Sequence, residues 1–71
     1  MKTKYKIEKG QIKVEGNIYN SYSVLCYFEG KLLSKIADAF ATEEQAKYFV
    51  DLCNRHNLEP VHLQNVLEDY L

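Results

Sequence analysis

Two hydrophobic periods divide the chain. From Tyr5 to Ile36 apolar and polar positions alternate in twos, and from Thr42 onward they recur at helical spacing. In the second region Ala46, Phe49, Val50 and Cys53 fall at i, i+3, i+4 and i+7, one stripe on a helix. Thr42 precedes the stripe as an N-cap, and Gln45 three residues on completes a capping box. Asn54-Arg55-His56-Asn57 predicts a fraying end, and Pro60 suits the first turn of a second helix. Leu63, Val66, Leu67 and Tyr70 then repeat the helical spacing.

In the first region Tyr5 and Ile7 alternate with lysines, and Ile12 and Val14 with Gln11, Lys13 and Glu15. Lys9-Gly10 between them predicts a two-residue hairpin loop, which sets Ile7 opposite Ile12 and Tyr5 opposite Val14 on one face. Gly16-Asn17 opens a five-residue loop through Asn20, with Val14 opposite Tyr22. Tyr22 to Phe28 is rich in β-favouring residues and reads as the central strand. Glu29-Gly30 is the next tight turn, and Lys31 to Ile36 the fourth strand. Ala37-Asp38-Ala39-Phe40-Ala41 is too apolar for a free loop, and Phe40 is placed to staple the helix start or plug the sheet–helix seam. The whole is read as a single α+β domain over residues 1–71, a four-stranded antiparallel meander followed by two short helices packed on one face (ββββαα).

Alternation fails in the middle. Tyr22, Val24, Cys26 and Phe28 point one way, while Leu25 and Tyr27 point the other, joined by Leu32 and Ile36 if a two-residue loop sets the register. Two short helices cover one face of a meander only. Leu25, Tyr27, Leu32 and Ile36, with Tyr19 at the rim, are therefore the expected contact surface for a partner, most simply a second copy.

The ending Pro60-Val61-His62-Leu63-Gln64-Asn65-Val66-Leu67-Glu68-Asp69-Tyr70-Leu71 resembles the C-terminal signature of a family of short bacterial proteins of unknown function from Gram-positive anaerobes. That pattern runs Pro, any residue, His-Leu, two residues, Val, one residue, Glu-Asp, aromatic, Leu. The likeness extends back to Thr42 and departs from the family at Asn65, where an acidic residue is usual. It implies a compact α+β unit whose final helix matters, and it brings no activity.

Length and charge narrow the picture. A chain of 71 residues buries only about 60% of its unfolded surface, so disulfides, a metal or an oligomer interface are the usual supports. Residues 1–35 carry seven Lys against three Glu, and residues 36–71 one Lys and one Arg against seven acids, so a basic first half meets an acidic second half. A net charge of −1 argues against a dedicated nucleic-acid binder. The alternative function is nevertheless a weak nucleic-acid-binding regulator, using Lys4, Lys6 and Lys13 beside Tyr5 and Tyr19. Lys2 and Lys9 belong to the same basic run.

Glu68 and Asp69 lie in the last helical turn, where the dipole disfavours negative charge. They are expected either to pair with strand lysines or to form an acidic docking site. Cys53, His56 and His62 are the one metal-like set, but neither cysteine has the Cys neighbour that structural zinc sites use. Cys26 and Cys53 both continue apolar patterns and read as buried reduced thiols. No paired catalytic carboxylates, nucleophile elbow, P-loop or dinucleotide fingerprint occurs. No apolar run reaches the roughly 18 residues of a membrane span, and no secretory leader is seen, so a cytoplasmic protein is expected. The sequence thus points to a non-enzymatic interaction module without cofactor or metal, acting as a homodimer or on another protein.

Overall fold

The computed structural model describes residues 3–70, so Met1, Lys2 and Leu71 of the readings above lie outside the described residues. Strands β1 (Thr3–Val14), β2 (Asn17–Phe28) and β3 (Lys31–Phe40) form one antiparallel sheet in the order β1-β2-β3. A helix α1 (Glu43–Arg55), a 3₁₀ turn (Pro60–His62) and a second helix α2 (Leu63–Tyr70) follow. The fold is a three-stranded meander with two helices, βββαα. Four strands were expected, and the difference lies at Lys9-Gly10.

A two-residue hairpin turn needs left-handed backbone at its centre. Glu15 (φ 50°) with Gly16 (φ 84°), and Glu29 (φ 51°) with Gly30 (φ 82°), supply it; neither Lys9 nor Gly10 does. β1 therefore runs straight through Gly10 and pairs with the whole of β2, from Thr3 opposite Phe28 to Val14 opposite Asn17. The long pairing sets Tyr5 against Cys26 and Ile7 against Val24 of the central strand, where the helices cover them. The five-residue loop and the Val14–Tyr22 pairing give way to the tight Glu15-Gly16 turn for the same reason.

β3 carries two irregularities that decide which side chains are buried. An uninterrupted ladder from Phe28–Lys31 would set Ile36 opposite Ser23, on the face away from the helices. Instead Leu33 is an extra residue between the Tyr27–Leu32 and Cys26–Ser34 pairs. A one-residue slip moves every later side chain to the other face. Ile36 now lies opposite Val24 and packs against the core, and Lys35 lies opposite Leu25. The second irregularity falls between Val24–Ile36 and Tyr22–Phe40, where Asp38 adopts left-handed backbone (φ 52°) and its N–H donates to Ser23 Oγ at 3.1 Å. The apolar Ala37–Ala41 segment is thus mostly strand, and Phe40 enters the core as the plug the sequence suggested.

The core sits between one sheet face and α1. Tyr5, Tyr22, Val24, Cys26 and Phe40 meet Ala46, Phe49, Val50 and Cys53, with Leu63 and Leu67 closing the end. All four residues of the predicted α1 stripe are buried. In α2 Leu63 and Leu67 are buried, while Val66 and Tyr70 stay partly exposed at the helix margin. Tyr70 still touches Phe40, Phe49 and Tyr48 through tilted and edge-on ring contacts at 5.4–6.2 Å.

α1 starts at the expected N-cap, with Thr42 Oγ1 accepting from the Gln45 N–H at 3.3 Å, but among the described residues the Gln45 side chain does not return the bond that would complete a capping box. Its end does not fray. Asn57 takes left-handed backbone (φ 50°), its N–H donates to the Asn54 carbonyl, and the Leu58 N–H donates to the Cys53 carbonyl at 3.0 Å. That is a Schellman stop with Asn in the place usually held by Gly. Its effect is to fix Asn54 against the outer edge of β1. The Asn54 amide accepts from the Tyr5 N–H at 2.8 Å and donates to the Tyr5 carbonyl at 3.0 Å, while the Tyr5 hydroxyl donates to the Leu58 carbonyl at 2.8 Å.

Candidate interaction surfaces

The sheet face away from the helices begins as an alternating surface of Lys4, Lys6 and Glu8 on β1, Ser23, Leu25 and Tyr27 on β2, and Leu32 and Lys35 on β3. Leu25 is the residue on which the sequence argument for a contact face leaned most, and it is only 9% exposed. Lys6 and Lys35 flank it as its cross-strand partners. Lys35 Nζ reaches Glu8 at 2.8 Å, and Lys6 Nζ sits 5.3 Å from the Tyr27 ring centroid. Long lysine stems lie over apolar surface while their heads stay in water. The Glu8 carboxylate, by hydrogen bond and charge, raises the Lys35 ammonium above its ordinary value.

The expected contact set therefore splits. Leu25 is covered within the chain, and Tyr27 is half-covered under Lys6. Ile36 is turned to the helical face by the Leu33 bulge, so its assignment to the open face is corrected. Leu32 (55% exposed) and Tyr19 (51% exposed) remain open.

Tyr19 belongs to a feature the sequence reading missed. β3 stops pairing at Tyr22–Phe40, and beyond the buried Ser21 the segments Gln11–Val14 and Asn17–Asn20 continue as a two-stranded ribbon whose residues are all exposed. Four residues of strand reach roughly 13 Å. The ribbon gives the molecule its 42 × 24 × 18 Å shape and a radius of gyration of 12.5 Å, against about 11 Å for a compact chain of this length. Ile12, Val14 and Tyr19 lie on one ribbon face; Ile18 (65% exposed) lies on the other, directly opposite Lys13. The false hairpin at Lys9-Gly10 concealed this, because it folded Ile12 and Val14 back onto Tyr5 and Ile7.

A second exposed apolar feature runs between the helices. Phe49, Leu52, Cys53, His56 and Leu58 form one wall and floor, and Val66 and Tyr70 the other, around a cleft of about 270 Å³. Its floor thiol is chemically quiet. Burial pushes Cys53 up to about 11, with Cys26 nearby adding to the effect, so it stays protonated at neutral pH. Burial likewise pushes the Tyr5 phenol up, reinforced by Cys26 and Cys53. Both cysteines are free and buried.

The remaining candidates disperse. His56 is exposed at the cleft and His62 is exposed beyond it, and among the described residues no three His, Cys, Asp or Glu side chains converge as a metal site would require. Lys4 and Lys6 share the open sheet face, but Lys13 falls on the opposite face of the ribbon, so the three lysines do not form one patch. Glu68 and Asp69 are exposed. Glu68 accepts from Gln64 Nε2 at 3.4 Å, and the ion pairs among the described residues, Lys35–Glu8 and Lys47–Glu43, involve neither. Among the described residues no helix is long and apolar enough to cross a membrane.

Comparison of the chain with protein-family models, curated proteins and solved structures returns no match.

Proposed function

We propose that this chain is a non-enzymatic protein-interaction module that self-associates through its β1–β2 ribbon. The observation that carries the reading is the ribbon itself: residues 10–20 are all exposed, and Ile12, Val14, Ile18 and Tyr19 among them keep 37–65% of their surface open. A two-stranded hairpin alone in water is marginal, and exposed apolar side chains on both its faces, Ile12, Val14 and Tyr19 on one and Ile18 on the other, are what an interface leaves behind when its partner is removed. Tyr19 and Leu32 stay in the contact set inferred from sequence, now joined by Ile12, Val14 and Ile18. Leu25 and Ile36 leave it.

The energetics favour a weak, concentration-dependent dimer. Full burial of a Val, Ile or similar side chain contributes about 1.5–3 kcal/mol, and two-fold symmetry uses each residue twice. Association costs at least about 4 kcal/mol in lost freedom. Sedimentation equilibrium from ten to several hundred micromolar tests the reading. A monomer–dimer equilibrium is expected, with Tyr19→Ser weakening it by about tenfold or more. A monomer throughout that range overturns self-association.

A further inference from the structure

The ribbon presents Ile18 and its neighbours Lys9 and Lys13 on one face, the face that the chain's own helices cover on the rest of the sheet. The cleft between α1 and α2 is the complementary surface: apolar and open outward. Charge repeats the match. Residues 9–22 carry Lys9 and Lys13 against Glu15, while residues 42–71 carry Glu43, Glu44, Asp51, Glu59, Glu68 and Asp69 against Lys47 and Arg55, a balance of +1 against −4.

We infer that the cleft between α1 and α2 receives the ribbon of a second copy, with Ile18 as the side chain that enters it and Lys13 brought against the net-acidic helical segment. The inference rests on the self-association proposed above and names the receiving surface. The size of the molecule supports reciprocal use. A standard interface takes about 800 Å² from each partner, roughly a sixth of the 5159 Å² available here. Neither a narrow ribbon nor a cleft of 270 Å³ supplies that alone, whereas a two-fold dimer in which each ribbon enters the other's cleft uses both surfaces twice.

Complementation tests it. Ile18→Asp spoils the ribbon and leaves the cleft; Val66→Glu spoils the cleft and leaves the ribbon. Each variant alone has no intact ribbon–cleft contact and is expected to sediment as a monomer with an unchanged far-ultraviolet circular dichroism spectrum. Mixed in equal amounts they keep one intact contact, and a 1:1 heterodimer is expected, weaker than the native dimer by about tenfold or more. His56→Glu, at an exposed position of the same cleft, replaces Val66→Glu if that variant loses helix signal. If the cleft variants still dimerise and Ile18→Asp does not, the cleft is not the receptor while the ribbon remains the contact element. If both variants are monomeric and the mixture stays monomeric, the ribbon–cleft pairing is overturned. A monomeric native chain overturns the self-association on which the inference depends.

Discussion

The helix-covered base of the sheet and the bare ribbon beyond it are built from the same two strands, yet they solve the burial problem in opposite ways. At the base, Tyr5, Val24 and Cys26 meet Phe49 and Cys53, and the opposite face is roofed by Lys6 and the Lys35–Glu8 pair over Leu25. There the helical face is buried and the centre of the other face is covered within one chain, with Leu32 left open at its margin. Along the ribbon neither face is covered, although the strand pairing continues without a break. Backbone pairing extends a sheet as far as the strands run, whereas side-chain cover ends where β3 and α1 end. The surplus length is where the molecule has surface to offer.

The sharpest way to break that contrast is to remove core volume. Phe49→Ala should cost about 3–5 kcal/mol, a large share of the roughly 4–10 kcal/mol a chain of this length commands, and chemical denaturation should show little or no folded protein. Ile18→Ala in the ribbon should leave the midpoint within about 0.5 kcal/mol of native, measured where the chain is monomeric. An equal loss from both would mean the ribbon is part of the core after all.

Next in size is the alkaline response of the base. Cys53 is raised from 9.0 to about 11 by burial. An acid whose pKa is higher in the folded state keeps its proton after the unfolded chain has released it. Stability is therefore intact below pH 9 and falls as pH rises from 9 toward 11, by on the order of 2–3 kcal/mol in all. Denaturant midpoints between pH 8 and 11 read this, and Cys53→Val should flatten that part of the profile. The buried Tyr5 phenol shifts in the same direction and adds to the decline at still higher pH.

Asn54→Ala is of similar size. It leaves the Tyr5 N–H and carbonyl without their partners, at about 1–3 kcal/mol. Amide exchange sharpens the picture: protection should rise at Val24 and Cys26, stay low from Gln11 to Asn20 in the monomer, and increase along the ribbon with protein concentration. Smallest of all, Glu68→Gln with Asp69→Asn should raise the monomer's melting temperature slightly, because each charge opposes the helix dipole by about 0.3–1 kcal/mol and no lysine among the described residues pairs with it. A fall would reveal a cationic partner within the chain.

Much of this architecture was legible in the residues. The Thr42 N-cap, the Ala46–Cys53 stripe and the Glu29-Gly30 turn are local signals, set by side chains a few positions apart, and each behaves as its chemistry requires. What eluded the sequence was register. Lys9-Gly10 and Glu15-Gly16 are the same kind of dipeptide, and only the gain from pairing all of β2 selects the second as the turn. The Leu33 bulge has no local signature; it exists because shifting β3 by one residue buries Ile36 and brings Lys35 over Leu25. Both are tertiary choices, and both bear on the proposed contact set: Tyr19 and Leu32 are exposed, Leu25 keeps its expected face but is covered, and Ile36 turns to the helices.

The side chain of Asn54 carries one further consequence. A peptide group offered to a bare sheet margin invites the next strand, and that strand invites another. A carboxamide on a helix makes the same two bonds to Tyr5 and then ends, since no residue follows it in the direction of growth. The β1 margin is stoppered at Tyr5, and open-ended stacking of subunits along that edge is blocked there.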